Sequence, residues 1–153
     1  PTKLYKDDFN HVFVACQGDY GTHAAEIWKI NENDEATSFA AANFAAVDGH
    51  RIYLVRSTTD WTSGKTTVTY AVCDTRSGTA IASLFGQVQP PIDPTTIAVD
   101  PHTKQIYIAS RGTLEPKIRF TEPGTVSVYT PEGDFLHRYN VGIEPCSLLF
   151  LKK

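Results

Sequence analysis

The sequence predicts an all-β fold, because short runs of β-branched, aromatic and aliphatic residues alternate with turns along its 153 residues. One triplet of this kind recurs three times, beginning at Val12, Ile52 and Ile106, which are 40 and then 54 residues apart. A period in this range is typical of repeat architectures. No long helix is predicted: residues 36–46 are rich in alanine, yet their two phenylalanines occupy positions equivalent to strand residues in the other repeats.

Each repeat divides into four short strands separated by turns. First strands are predicted at residues 43–47, 95–99 and 146–151, with a shorter one at 3–5; second strands at 11–16, 51–56 and 105–110; third strands at 26–30, 66–72 and 125–129; and fourth strands at 36–40, 79–85 and 135–140. The turns contain residues that tolerate positive φ, preset φ or bond their own backbone. Four antiparallel strands in about 40 to 50 residues is the spacing of a β-propeller blade.

The whole chain, residues 1–153, is therefore predicted to be one partial β-propeller domain of about three four-stranded antiparallel blades, part of a larger propeller. Blade one is expected at about 3–40, blade two at 41–88, blade three at 93–142, and a closing or next-blade strand at 143–153. Propellers close with roughly four to eight blades, and open blade faces would expose apolar surface. The expected partners are thus the remaining blades of a longer chain or a second copy of this one.

The third repeat resembles a known family. Its pattern P-x-x-I-A-V-D-P, then I-Y-I-A, then G-T-V-S-V-Y-x-x-x-G and V-G-I-E-P, within residues 94–151, is similar to the YVTN-type propeller repeat of bacterial surface-layer-like and secreted proteins. The resemblance implies blades and an exported protein, periplasmic, outer-surface or secreted. It implies little about chemistry, because propellers serve many functions. The chain departs from the repeat in its long stretch between residues 111 and 123.

Composition excludes several classes of protein. The formal net charge of −3 gives no electrostatic footprint for a nucleic acid, and no apolar run of about 18 residues predicts a transmembrane segment. Cys16, Cys73 and Cys146 are far apart and form no CxxC pair, which argues against a zinc knuckle or a dithiol redox site. They are expected to be small buried residues on strands. A disulfide between any two would leave the third unpaired, and the sequence leaves that choice open.

The links between strands differ in length at the two ends of the predicted sheets. Strand order places tight turns at one end and most of the long links at the other. The long links cover residues 17–24, 57–65, 86–94, 111–123 and 141–145. Long loops with aromatic and charged residues on one rim are a usual place for binding. The candidate ligand-binding residues are Tyr20, His23, Asp60, Trp61, Arg111, Lys117 and Arg119.

These residue types suggest what the long-loop face would bind. Tyr20 and Trp61 would supply flat contact area, and Arg111, Lys117 and Arg119 would favour an anionic or polar group. The alternative is that the loops are solvated and that their aromatic side chains pack onto the ends of the blades.

Residues for catalysis or metal binding are sparse. The five histidines are scattered, with no HxH or HxxxH pair. Asp48 and Asp100 occupy equivalent turns, where aspartate usually accepts bonds from the turn backbone. Asp93 and Glu144 each precede a proline and a first strand, and they are expected either to form a carboxylate pair near the channel mouth or to shape the link. No nucleophile elbow, phosphate loop or dinucleotide fingerprint occurs. No catalytic residue, metal ligand or cofactor is predicted.

Two functions from different classes follow. The first is a non-catalytic binding or scaffold propeller that presents its long-loop face to a protein, peptide or glycan. The second is a metal-dependent propeller enzyme of the lyase or lactonase type, whose metal would be held in the channel by side chains from several blades, some of them absent from this chain. A stoichiometric bound cation would favour the enzyme, and a channel without one would favour the binder.

Overall fold

The computed structural model describes residues 1–19, 21–60, 62–82, 90–115 and 117–151. These residues contain twelve strands and no helix, and thus no helix long and apolar enough to cross a membrane. The strands are β1 Lys3–Lys6, β2 Val12–Cys16, β3 Glu26–Ile30, β4 Ala36–Ala40, β5 Phe44–Asp48, β6 Arg51–Asp60, β7 Lys65–Asp74, β8 Ala80–Ala82, β9 Pro94–Val99, β10 Ile106–Ser110, β11 Pro123–Tyr129 and β12 Phe135–Ile143. They form three four-stranded antiparallel sheets, β1–β4, β5–β8 and β9–β12, as predicted.

The chain divides into two compact units, of which the first comprises Pro1–Arg56 and Thr69–Ser83. Side chains of a strand alternate between its two faces, so every second residue of β2 enters the core. Phe13 and Ala15 are buried, whereas the residues on either side of them are only half-buried. The Phe13 ring packs edge-on against Phe39 with centroids 5.1 Å apart. Burial of this apolar cluster is what holds the first unit together.

The second unit comprises Ser57–Val68 and Leu84–Lys153 and contains the third sheet. In register, Ile106 of β10 lies opposite Tyr129 of β11, and both are fully buried. The other almost fully buried apolar side chains of this sheet include Ile97, Ile108, Ala109 and Val128. The apolar run of β10 therefore lies between β9 and β11, in the buried part of this sheet.

The link between the second and third strands of the second sheet is shorter than predicted. β6 continues to Asp60 and β7 begins at Lys65, so the prediction of a long loop at 57–65 is wrong. Threonines lie on both strands of this hairpin, and the hydroxyl oxygens of Thr59 on β6 and Thr66 on β7 are 3.0 Å apart. The backbone N of Gly64 donates to the carbonyl of Asp60 at 2.7 Å, and its positive φ of 69° allows the tight turn.

The predicted first strand of a further blade, at residues 146–151, is not a strand in the structure. A strand needs the ladder hydrogen bonds of a neighbour, and among the described residues none of the three sheets pairs with this segment. Phe150 packs against Tyr107 with ring centroids 5.1 Å apart, while Leu149 is 84% exposed. At the other end of the chain, β1 pairs with β2, so the first sheet has all four strands.

Two other predictions concern β8 and the cysteines. β8 covers Ala80–Ala82, and residues 83–85 of the predicted strand lie outside the described residues. All three cysteines are free. Cys73 is buried on β7, which raises the pKa of its thiol, and Cys16 is half-buried on β2. Cys146 is exposed and lies outside the strands, so the prediction of a buried strand residue is wrong there.

Candidate functional site: an arginine–carboxylate network beside the third sheet

Asp93 lies in the link that leads into β9 and is only 2% exposed. Arg119, from the loop between β10 and β11, donates to both of its carboxylate oxygens. The Nε–Oδ2 distance is 2.6 Å and the Nη2–Oδ1 distance is 2.7 Å. Such bidentate pairs are among the strongest hydrogen bonds in proteins, because two charge-assisted bonds form in one plane. Asp93 therefore anchors the β10–β11 loop, residues 111–122, to the link before β9.

Arg111 connects Asp93 to Glu144. Its Nη2 donates to Glu144 Oε1 at 2.5 Å, and its Nη1 lies 3.5 Å from Asp93 Oδ1. Its backbone N also donates to the Asp93 carbonyl at 2.9 Å. We call Asp93, Arg111, Arg119 and Glu144 the arginine–carboxylate network. Its two guanidinium groups are balanced by two carboxylates, and the hydrogen bond to Asp93 raises the pKa of Arg119.

The position of Glu144 is set by tight backbone packing after β12. Its φ of 52° lies in the left-handed region that non-glycine residues rarely adopt. The hydroxyl of Thr95 donates to the carbonyl of Pro145, which ties the segment to β9. The Pro145 ring lies directly against Gly124 of β11, where a Cβ atom would be 2.6 Å from Pro145 Cδ. Glu144 is thus held by two strands in the place from which it reaches Arg111.

The tip of the β10–β11 loop is ordered by its own backbone. The N–H groups of Ile118 and Arg119 donate to the Glu115 carbonyl at 3.2 and 2.9 Å, and that of Glu122 donates to the Ile118 carbonyl at 3.0 Å. Both guanidinium groups lie near the ring of Phe120. Its centroid is 5.0 Å from Cζ of Arg111 and 5.7 Å from Cζ of Arg119. The Phe120 side chain is nevertheless 55% exposed.

The structure brings together two of the predicted binding residues. Arg111 and Arg119 share Asp93, so part of their donor capacity, which an anionic ligand would need, is already occupied. Lys117 is exposed on the same loop. Tyr20 and Trp61 lie outside the described residues.

His23 and Asp60 each take part in the bonding of their own turn. The Asp19 carboxylate lies 2.8 Å from His23 Nδ1 and also accepts from the backbone N–H groups of Gly21 and His23. Hydrogen bonds from the side chain and backbone of His23 hold the pKa of Asp19 well below its usual range. The side-chain bond to Asp19 in turn raises the pKa of His23. Asp60 accepts from the Ser63 hydroxyl at 2.6 Å, which lowers its pKa. Both residues therefore have a turn-forming role.

Sequence reasoning missed two features of this site. Asp93 and Glu144 were expected to pair near the channel mouth or to shape the link, but each bonds to arginine, which the prolines that follow them could not indicate. Phe120 was not predicted at all. The only sequence signal for it was an aromatic residue directly after Arg119 in a long loop.

The first unit contains a separate ionisable pair, in the turn between β1 and β2. The buried Asp7 carboxylate accepts from the backbone N–H groups of Phe9 and His11, both at 2.9 Å, and lies 2.8 Å from His11 Nδ1. Burial raises the pKa of Asp7, but the hydrogen bonds from the His11 side chain and the backbone outweigh it, and the pKa is lowered. The ionised carboxylate therefore stabilises the folded chain.

Asp7→Asn should lower the free energy of unfolding by about 2 kcal/mol at pH 7, the usual cost of losing charge-assisted hydrogen bonds. Because the folded pKa is depressed, this contribution is complete above the unfolded pKa of about 4 and is lost as the pH falls through the folded pKa. Urea denaturation at pH 7 and at successively lower pH should show the two proteins converging in acid. Asp8→Asn, at the exposed neighbouring position, is the control, and equal losses in the two variants would contradict the prediction.

The arginine–carboxylate network holds the β10–β11 loop against the segments before β9 and after β12. Among the described residues, no group of three or more histidines, cysteines or carboxylates could hold a metal ion. Both oxygens of Asp93 already accept from Arg119. The arrangement ties the loop to the segments before β9 and after β12 and leaves an aromatic ring exposed on it.

Comparison with known proteins bears on the fold. The sequence matches no protein-family model, and no curated protein is significantly similar. A search of solved structures finds a chain from the crystal structure of a nidogen/laminin complex, with a TM-score of 0.59 and 16% sequence identity over 92% of this chain. That neighbour is a β-propeller. This chain has a β-propeller fold. It spans about half of the neighbour's length, 49% of that chain.

Proposed function

We propose that this propeller is a non-catalytic binding or scaffold protein whose long-loop end contacts a protein or peptide. The observation that carries the proposal is the β10–β11 loop: its two arginines are bonded to carboxylates, and it leaves Phe120 exposed and stacked. A rigid aromatic ring on a charge-balanced base suits contact with another polypeptide better than capture of a free anion. The neighbouring propeller was solved in a complex of two proteins, which is consistent with a protein partner.

The resemblance of the third repeat to the YVTN type supports a second part of the proposal, that the protein is a bacterial exported one. Its free cysteines neither favour nor oppose this location. The gene's upstream sequence is the direct test: a secretory signal peptide is the expected finding, and a cytosolic gene product without one would contradict export.

Apolar side chains on the two units indicate further packing partners. Leu4 on the first sheet and Tyr139 on β12 are both more than half exposed, as is Leu151. We propose that additional blades cover these residues, supplied by a longer chain or by a second copy. Light scattering of the purified protein separates the two sources, since a second copy doubles the 16.9 kDa mass of the chain.

Selection from a phage-displayed library of random peptides tests the binding function. The immobilised protein should enrich a group of related sequences, and synthetic versions of them should bind in solution. Failure to enrich any group of related sequences would contradict the binding function. A metal ion bound in stoichiometric amount to the purified protein would instead support the metal-dependent enzyme.

A further inference from the structure

The exposed ring of Phe120 is held in one orientation by its neighbours. Cations within about 6 Å of an aromatic centroid are attracted to its face, and two guanidinium groups meet that condition here. The guanidinium groups are themselves fixed, Arg119 by both oxygens of the buried Asp93 and Arg111 by Glu144. A side chain ordered before binding loses little conformational entropy when a partner arrives.

The loop that carries the ring has an exposed apolar side chain and exposed acidic residues close to it in sequence. Ile118, two residues before it in the same turn, is 37% exposed. Two exposed carboxylates of the loop, Glu115 and Glu122, lie outside the arginine–carboxylate network, whereas Lys117 is the exposed cation of the described loop residues. Since Arg111 and Arg119 are balanced by Glu144 and Asp93, the two glutamates and the lysine leave one negative charge on the loop.

We infer that Phe120 is the anchor of the proposed binding surface, and that its partner is a polypeptide segment with apolar side chains next to lysine or arginine. The inference rests on the proposed binding function and makes it specific. Anchors of this kind are large, rigid and central, and they carry most of the binding energy of an interface. Glu115 and Glu122 add charge complementarity, which selects basic partners and speeds their association.

Peptides selected from the displayed library test the inference. Enriched sequences should combine apolar residues with lysine or arginine. Phe120→Ala should weaken their binding about thirty-fold, as removal of a strong interface anchor does. Phe120→Tyr keeps the ring and should keep most of the affinity. Binding should also weaken as salt is raised, because the charge of the two glutamates is screened.

A matched control exists in the first unit. Phe9 is 40% exposed and lies over the guanidinium of Arg76 at 4.8 Å, so it is also an aromatic ring stacked on arginine. Phe9→Ala should leave peptide binding unchanged. Circular dichroism and urea denaturation of each variant establish that it is folded.

Each other outcome has a distinct meaning. Peptides that bind Phe120→Ala as tightly as the unchanged protein overturn the inference and leave the binding function standing. Equal weakening by Phe9→Ala shows general adhesion to exposed rings and overturns it as well. Enrichment of acidic peptides overturns the assignment of a basic partner. If no peptide is enriched at all, both the inference and the proposed function fail.

Discussion

Asp93→Asn should destabilise the protein by about 3 kcal/mol, the lower end of the cost of breaking a buried ion pair from one side. The variant keeps the size of the side chain but removes the charge that Arg119 and Arg111 share. Both arginines would then be held near a neutral amide, away from full hydration. The value lies at the lower end because their side chains are 33% and 18% exposed, so water compensates part of the loss.

Urea denaturation at neutral pH measures this effect. Glu144→Gln is the matched control, since it removes a carboxylate of the same network whose side chain is 44% exposed, and it should cost less than about 1 kcal/mol. A loss for Asp93→Asn no larger than that of Glu144→Gln would show that the network contributes little to stability. The β10–β11 loop would then need another explanation for its order.

Gly124→Ala should destabilise the protein by about 3 kcal/mol, the upper end of the cost of overpacking. A Cβ atom there would lie 2.7 Å from the carbonyl oxygen of Ser110 and 2.6 Å from Cδ of Pro145. Neither can move easily: the first is backbone of β10, and the second is a proline ring in a segment tied to β9. The substitution should push the segment after β12 outward and displace Glu144 from Arg111.

Gly142→Ala is the control for this prediction. Gly142 lies in β12 of the same sheet, and nothing would approach an added Cβ within 4 Å, so its effect should stay within about 0.5 kcal/mol. Thermal or urea unfolding of the two variants side by side gives the comparison. If both changes prove neutral, the packing of Pro145 against β11 is looser than the structure shows.

Much of the fold could be predicted from the sequence because its determinants are local. The triplets that begin at Val12, Ile52 and Ile106 all lie on second strands of their sheets, and the alanine-rich stretch at 36–46 is split between two strands. The errors have local causes too. Residues 57–65 were predicted to form a loop, but threonine is a good strand residue. Residues 146–151 have strand character, but they pair with no strand in the part of the chain that the structure describes.

The candidate site was less predictable. Lys117, Arg111 and Arg119 were chosen from residue type alone, as positive charges available to a ligand. The structure shows two of them bonded to Asp93 and Glu144, which are 26 and 33 residues away from their partners in the sequence. Pairing over that distance depends on how strands stack, and no local pattern records it. Phe120 belongs to the site because it contacts those two arginines, and this contact is also a property of the tertiary structure.

The sequence by itself determined the alternation of strands and turns and the four-stranded repeat, because backbone preferences and side-chain alternation act over a few residues. Only the tertiary structure decided which charges are neutralised and which aromatic ring remains exposed. Electrostatic partners are chosen by proximity in space, and in this protein the loop before β11 meets the links before β9 and after β12 only once the third sheet has formed.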